Sequence, residues 1–145
     1  MTEKIIIRKA NEKDITAVRA IANVPGLQVA GEERAPGEKW FKAFIKEKQM
    51  FFVAEIKKEV VGFIIGERTT GNIGYLWEMG VRLDLRSKGI GSLLLKKFID
   101  GCEKRKLRFA IAYGHANKKT INFFKKHKFI EGDNYKEIRR DLKDF

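Results

Sequence analysis

The stretch GVRLDLRSKGIGSLLL, residues 80–95, constrains the fold more than any other part of the chain. A β-branched, strand-like segment leads into it, a charged loop follows, and an apolar run with helical spacing begins at Ile90. The chain must therefore pass from a strand through a glycine-containing turn directly into a helix. The start of a helix leaves backbone N–H groups without intrahelical partners and carries partial positive charge.

This junction has the chemistry of an anion-binding site. Gly89 and Gly91 allow a ligand to approach the backbone closely, and Arg86 and Lys88 add positive charge at the rim. Two familiar phosphate loops are excluded, because the chain has no G-x-x-x-x-G-K-[ST] run and because Leu94 stands where the dinucleotide fingerprint needs a third glycine. The alternative is a glycine-rich turn that only redirects the chain.

The remaining periodicity predicts a mixed α and β protein. Strands are predicted at residues 3–10, 50–56, 59–69, 73–83, 107–114 and 135–142, and helices at residues 11–24, 38–49, 90–104 and 117–128. Short links at Lys57-Lys58 and at residues 69–72 indicate an antiparallel meander, and one strand–helix–strand crossover runs from Tyr75 to Tyr113. Because we find neither a repeat nor a linker, we expect one domain over residues 1–145.

Charge and cysteine content narrow the class of partner. The net charge of +12 favours anionic partners such as a polyphosphate cofactor, an acidic protein surface or nucleic acid. Nucleic acid is disfavoured, since the chain has neither a basic tail nor a recognisable reading motif. A single cysteine, Cys102, excludes an internal disulfide and metal sites built on several thiolates. Leu94, Leu95, Phe98 and Cys102 fall on one apolar stripe of the predicted helix, so the thiol is expected to be buried and unreactive. Without an apolar membrane segment or signal-peptide core, a cytoplasmic protein is expected.

Two motifs resemble those of the GNAT superfamily of N-acetyltransferases. Its acyl-CoA signature is a strand ending in Val, five residues before [RQ]-x-x-G-[IV]-G-[SRT] at a helix start. This chain matches the signature with Val81, Arg86, Gly89, Ile90, Gly91 and Ser92. The family's second motif, N-x-x-[AT]-x-x-[FL]-[YF], is matched by Asn117, Thr120, Phe123 and Phe124. The N-terminal IIIRKANEKDI also resembles the family's opening, so the resemblance covers nearly the whole chain.

The resemblance implies a fold and a cofactor. The fold is a central mixed, mostly antiparallel sheet of about seven strands, flanked by about four helices, that splays open beside the strand ending at Val81. The pantetheine arm of acetyl-CoA pairs there with the backbone, and the pyrophosphate lies on the N–H groups of the helix start; no metal is required. The cofactor-binding residues so implied are Met79, Val81, Arg86, Ser87, Lys88, Gly89, Ile90, Gly91, Ser92, Asn117 and Phe124.

Acetyl transfer also needs groups that move protons. A lysine-type amine has a pKa near 10.4 and must lose a proton before it attacks, and Glu78, three residues before Val81, is the best candidate base. The family's usual acid is a tyrosine at the position of Phe124, which cannot donate a proton. We therefore assign the acid to Tyr113, with Tyr135, water, or no acid at all as alternatives. His115 is a weaker candidate.

The sequence is compatible with several classes of acceptor amine. Residues 25–37, with Tyr75 and Trp77, are expected to line its pocket, and Glu32 and Glu33 could attract a cationic amine. A protein N-terminus, a lysine, a polyamine and a small-metabolite amine all fit. Two other functions compete with acetyl transfer, namely a non-catalytic acyl-CoA-binding module and a basic nucleic-acid-binding domain. The oligomeric state is also open, with a homodimer among the alternatives.

Overall fold

The computed structural model describes residues 3–22, 36–114 and 117–136, together with positions 138, 140 and 142. Its contacts divide the chain into two compact units, residues 1–112 and residues 113–145, which are described separately. The expectation of one domain therefore stays a prediction. Among the described residues, no helix combines the length and the apolar character that crossing a bilayer requires.

The first unit is a sheet with helices on both faces. Its elements are β1 (Ile5–Lys9), α1 (Ile15–Ala22), α2 (Glu38–Lys46), β2 (Met50–Ile56), β3 (Glu59–Arg68), β4 (Ile73–Val81), α3 (Ile90–Lys104) and β5 (Phe109–Ala112). Single turns of 3₁₀ helix at Glu12–Asp14 and Leu83–Leu85 precede α1 and α3. The second unit contains α4 (Lys118–Lys126).

The sheet is mixed and mostly antiparallel, which confirms the predicted fold class. Its strand order is β1-β2-β3-β4-β5, and all neighbours are antiparallel except the parallel pair β4–β5. It has five strands among the described residues, where about seven were expected. The predicted strand at 135–142 is not seen, since none of its described positions belongs to a strand.

Local sequence explains two of the connections. Lys57 and Lys58 both adopt left-handed backbone conformations, with φ of 49° and 65°, as the two-residue link between β2 and β3 requires. This confirms the predicted tight link, although lysine lacks the glycine or asparagine usual there. The Asn11 side chain accepts from the N–H of Lys13 and caps the first turn, as its position before the helix predicts.

The core lies on both faces of the sheet. On the face covered by α1 and α2, called the α1–α2 face, the buried residues include Val18 and Phe41 from the helices, and Phe51, Phe63 and Ile65 from the strands. On the opposite face, called the α3 face, α3 buries Ile90, Leu94, Leu95, Phe98 and Cys102. Helical spacing in the sequence predicted this stripe of α3 almost completely.

Glycines allow α3 to pack close to the sheet. A Cβ built on Gly66 would collide with the ring of Phe98, and one on Gly74 would collide with the sulfur of Cys102. At the other end of α3, a Cβ on Gly62 would lie 3.2 Å from a methyl of Leu94 and 3.4 Å from a methyl of Ile90. The missing side chains on β3 and β4 therefore set the distance and position of α3.

A partly buried ion pair connects β1 to the turn that precedes α1. Arg8 donates from two guanidinium nitrogens to the carboxylate of Asp14 at 2.8 and 2.9 Å, and the N–H of Asn11 donates to the same carboxylate at 2.8 Å. Glu55 on β2 lies 3.3 Å from Arg8. Burial opposes ionisation of Asp14, but these hydrogen bonds and the charge of Arg8 hold its pKa below the usual range.

Gly66→Ala should lower the free energy of unfolding by about 1–3 kcal/mol, because the added methyl overlaps the fully buried Phe98 ring. Thermal and urea denaturation measure the change. Gly71→Ala is the matched control, since its Cβ meets only the Thr69 hydroxyl at 4.0 Å. Equal stability of the two variants would show that α3 does not depend on this glycine.

Asp14→Asn should lower the free energy of unfolding by about 1–3 kcal/mol at neutral pH, because Arg8 loses a charged partner. The folded pKa of Asp14 lies below its unfolded value, so its contribution is present above about pH 4 and disappears as the pH falls through the folded pKa. The difference between wild type and variant should therefore shrink in acid. Glu12→Gln, an exposed change in the same turn, is the control; a pH-independent difference contradicts the account.

Candidate active site

One edge of β4 is open over its C-terminal half. The parallel pairing with β5 runs from Ile73↔Phe109 to Leu76↔Ala112, where β5 ends. On its other side, β4 continues to pair with β3 as far as Gly62↔Val81. Beyond Leu76, no strand within the described residues pairs with the β5 side of β4. Its backbone groups there are available to a ligand that carries amides.

The hydrogen-bond pattern shows which residues face this open edge. The N–H of Arg82 donates to the carbonyl of Val61 at 2.8 Å, so the backbone groups of Arg82 point toward β3. Backbone groups alternate along an antiparallel strand, so those of Gly80 and Glu78 also point toward β3. Those of Met79 and Val81 therefore point to the open edge. These are the two residues that the family resemblance assigns to the pantetheine arm.

A bulge in β4 lies just before this segment. Ile65 pairs with Glu78, whereas the next residue of β3, Gly66, pairs with Leu76, so Trp77 is the extra residue. Gly80 itself is not part of the bulge, because it pairs regularly with Phe63. Its carbonyl lies only 3.1 Å from the place that a Gly62 Cβ would occupy, so close backbone packing explains the glycine at position 62 of β3.

The bulge places Trp77 and Glu78 on the same face of the sheet. Glu78 is opposite Ile65, whose side chain belongs to the α1–α2 face, and residues directly opposite share a face. The Trp77 ring contacts Phe44 of the same core, with centroids 6.4 Å apart. Both carboxylate oxygens of Glu78 are shielded from solvent. The candidate base is therefore held beside an aromatic ring on the α1–α2 face.

The loop and helix start after β4 form a cradle of backbone amides. Ser87 and Gly89 have left-handed backbones, with φ of 68° and 83°, which turn the chain into α3. The first hydrogen bond of α3 joins the N–H of Leu93 to the carbonyl of Gly89 at 3.1 Å. The N–H groups of Ile90 and Gly91 come before it and have no partner within the helix. A Cβ on Gly89 would meet nothing within 4 Å, so the cradle is open there.

The cradle and the open edge lie close together. The side chain of Ile90 is buried and packs beside Gly62, and Gly62 is the partner of Val81. The Arg86 Nε also donates to the Val81 carbonyl at 3.2 Å. The first turn of α3 therefore starts beneath the end of β4. Lys88 is exposed beside this turn, where its charge can face an anion.

Arg82 was not recognised from the sequence as part of this region. Its guanidinium lies 2.7 Å from Glu59 on β3 and 2.8 Å from Asp84 in the loop. The hydrogen bonds and charge of Arg82 lower the pKa of the exposed Asp84 carboxyl. These pairs connect the loop before the cradle to β3. Glu59 is far from Arg82 in sequence, so only the pairing of β3 with β4 brings these two charges together.

The residues predicted from the second motif belong to the second unit. Asn117 caps α4, since its side-chain oxygen accepts from the N–H of Thr120 at 2.8 Å. Phe124 packs against Phe129, with ring centroids 5.2 Å apart, and Tyr113 is 63% exposed. Lys128, which follows α4, has a left-handed backbone with a φ of 68°. A cofactor role for Asn117 and Phe124 stays a prediction, and so does an acid role for Tyr113.

Other candidates from the sequence divide into two groups. Cys102 is buried, and desolvation raises its pKa to about 11, which confirms the expectation of an unreactive thiol. Residues 25–35, which include Glu32 and Glu33, lie outside the described residues, and so does His115. Across the described parts of the chain, no cluster of three or more His, Cys, Asp or Glu side chains could hold a metal ion.

Comparison with known proteins identifies the family. The model of the acetyltransferase (GNAT) family matches residues 15–129. An uncharacterized N-acetyltransferase of Methanocaldococcus jannaschii, MJ1530, is 35% identical over 92 residues, which are 63% of this chain and 55% of that protein. The chain spans about half the length of the curated relatives it matches.

Solved structures share the fold. The ribosomal-protein-alanine N-acetyltransferase of Brucella melitensis is 25% identical, with a TM-score of 0.76 over 88% of this chain and 86% of that one. The structure of yncA from Salmonella typhimurium, solved with its cofactor acetyl-CoA, is 21% identical, with a TM-score of 0.74 over 87% of this chain and 79% of that one.

Gly91→Asp should weaken coenzyme A binding at least about tenfold, because it adds a carboxylate to the first turn of α3 beside the cradle. An acidic residue in a first helical turn is favourable to the helix itself, so lost affinity cannot be attributed to unfolding of α3. Isothermal titration calorimetry measures the affinity. Gly71→Asp makes the same charge change in a distant turn and should bind normally; equal affinities of the two variants count against the cradle.

Proposed function

The chain belongs to the acetyltransferase (GNAT) family, and on that premise we propose that it transfers the acetyl group of acetyl-CoA to a primary amine. The observation that carries the proposal is the adjacency of two complementary surfaces, the open β4 edge and the amide cradle of α3. Coenzyme A combines an amide-containing arm with a pyrophosphate. Few other ligands need both surfaces at once.

Each of the two surfaces binds a different part of coenzyme A. Met79 and Val81 offer backbone groups to the pantetheine amides, as an added strand would. The amides of Ile90 and Gly91, with neighbouring positions from Arg86 to Ser92, receive the pyrophosphate at the positive end of the α3 dipole. For this arm to pair, the Arg86 side chain must release the Val81 carbonyl, and it can then contact a phosphate. The relative yncA binds acetyl-CoA, which supports this choice of cofactor.

Glu78 is the proposed general base. It lies one residue before Met79, so the thioester end of an arm paired along β4 is near its carboxylate. Its shielded oxygens can take the proton of the acceptor ammonium, directly or through one water. The neutral amine then attacks the thioester carbonyl, the C–N bond forms, the C–S bond breaks, and the nitrogen releases one further proton to solvent as it becomes the amide nitrogen. The acetyl group passes directly from sulfur to nitrogen, in a complex that holds both substrates.

The thiolate that leaves takes up a proton. Phe124 stands where the family's usual acid is a tyrosine, and a phenyl ring has no proton to give. We assign this proton to Tyr113, which is largely exposed. A thiol with a pKa near 8.5 is also an adequate leaving group without an acid. Tyr113→Phe should therefore cost less activity than a change at the base.

The presence of Phe124 in place of the family's usual tyrosine also supports a second candidate function, a module that binds acyl-CoA without turnover. The two functions separate in an assay that follows thiol release from acetyl-CoA with a panel of amines. Amine-dependent release supports the transferase. Cofactor binding by calorimetry, with release no faster than in buffer for any amine, supports the binding module.

Glu78→Gln should lower kcat/KM for the best amine about a hundredfold and leave the Kd for acetyl-CoA unchanged, because the amide keeps the shape of the side chain but cannot accept a proton. The variant should also lose the acidic limb of the pH–rate profile that ionisation of this carboxylate produces. Glu103→Gln, an exposed change on α3, is the control. If wild type and E78Q share one profile shape, Glu78 is not the base.

A further inference from the structure

Trp77 is a large ring held in a fixed position and yet exposed. Its indole N–H donates to the Glu67 carboxylate at 2.8 Å. Its ring lies 4.7 Å from that of Tyr75 and 6.1 Å from that of Trp40, both in edge-on arrangements. The side chain nevertheless remains 46% exposed. We call Trp77, Tyr75, Trp40 and Phe44 the aromatic wall.

The bulge in β4 places Trp77 of the aromatic wall on the same face as Glu78, the proposed base. In a regular strand, neighbouring side chains point to opposite faces, and a tryptophan beside the base would lie on the far side of the sheet. Here Trp77 and Glu78 share the α1–α2 face, because Trp77 is the extra residue of β4. Successive residues of a strand are about 3.3 Å apart. Glu78 and the exposed ring of Trp77 therefore belong to successive residues on one face of the sheet.

We infer that the aromatic wall selects the acceptor, and that this acceptor is the amino terminus of a polypeptide whose first residue has a large apolar side chain. The inference rests on the proposed function and names its substrate class. In such an acceptor, the carbon that bears the amine also bears the side chain, so one group reaches Glu78 while the other covers Trp77. Removing both apolar surfaces from water favours this substrate.

The net charge of this chain and the acidity of the α-amino group also favour a peptide amino terminus as the acceptor. The chain carries a net charge of +12, which repels polyamines and other polycations. An α-amino group has a pKa near 8, against about 10.4 for lysine, so about a tenth of it is neutral at pH 7, against less than about a thousandth of a lysine side chain. One carboxylate base therefore suffices for an amino terminus, whereas a lysine needs far more help to lose its proton.

The test compares peptides that differ only in their first residue. Initial rates of thiol release are measured for peptides beginning with Leu, Phe, Gly or Ser, for a peptide with a blocked amino terminus and one internal lysine, and for spermidine. Wild type should prefer the Leu and Phe peptides over Gly and Ser by about tenfold or more in kcat/KM. A preference for the lysine peptide or for spermidine overturns the inference.

Variants of Trp77 test whether the aromatic wall causes the preference for a large apolar first residue. Trp77→Ala should remove the preference, because kcat/KM for the Leu and Phe peptides should fall about tenfold more than kcat/KM for the Gly peptide. Trp77→Phe, which keeps a ring, should retain most of it. Ile6→Ala, at an exposed apolar residue of β1, is the matched control. Circular dichroism melts and the Kd for acetyl-CoA check that each variant is folded.

The outcomes separate this inference from the proposed function. Cofactor binding without transfer to any amine overturns the proposed function and, with it, the inference. Transfer that is equal for all first residues, or that W77A slows to the same extent for every peptide, overturns the inference alone and leaves the transferase in place.

Discussion

The close packing of α3 on the sheet determines the geometry of the candidate site. Gly66 and Gly74 lack the Cβ atoms that would displace Phe98 and Cys102, so the helix axis can approach the strands. The same contact extends to Ile90, which sits beside Gly62. The first turn of the helix is thereby fixed beneath the end of β4. The amide cradle is a consequence of how the core packs.

A second constraint acts within β4 itself. The pairing with β5 stops at Leu76, and the bulge at Trp77 shifts the alternation of side chains in the remaining segment. One short stretch therefore offers backbone groups on its open edge and two chemically different side chains on one face. Residues Trp77–Val81 can therefore contribute to the three proposed roles, which are cofactor binding, proton transfer and selection of the acceptor. The sequence of this segment nevertheless has the pattern of an ordinary strand.

The sequence predicted those features that local chemistry determines. The α3 boundaries, the cap at Asn11, the Lys57-Lys58 link and the burial of Cys102 follow from periodicity and turn chemistry, and the structure confirms them. The glycines and cations near Ile90 marked the helix start as an anion site. The bulge at Trp77 and the ion pair of Arg82 with Glu59 were missed, because both depend on β3, which the sequence brings next to β4 without specifying register.

The most direct test of the account is amide hydrogen exchange with and without acetyl-CoA, resolved to single residues. The account predicts that the cofactor slows exchange at Met79 and Val81, whose N–H groups face the open edge, and at Ile90 and Gly91 in the cradle. The amides of Gly80 and Arg82 already point toward β3 and should change little. Tight binding that protects amides elsewhere and leaves these four unchanged would contradict it.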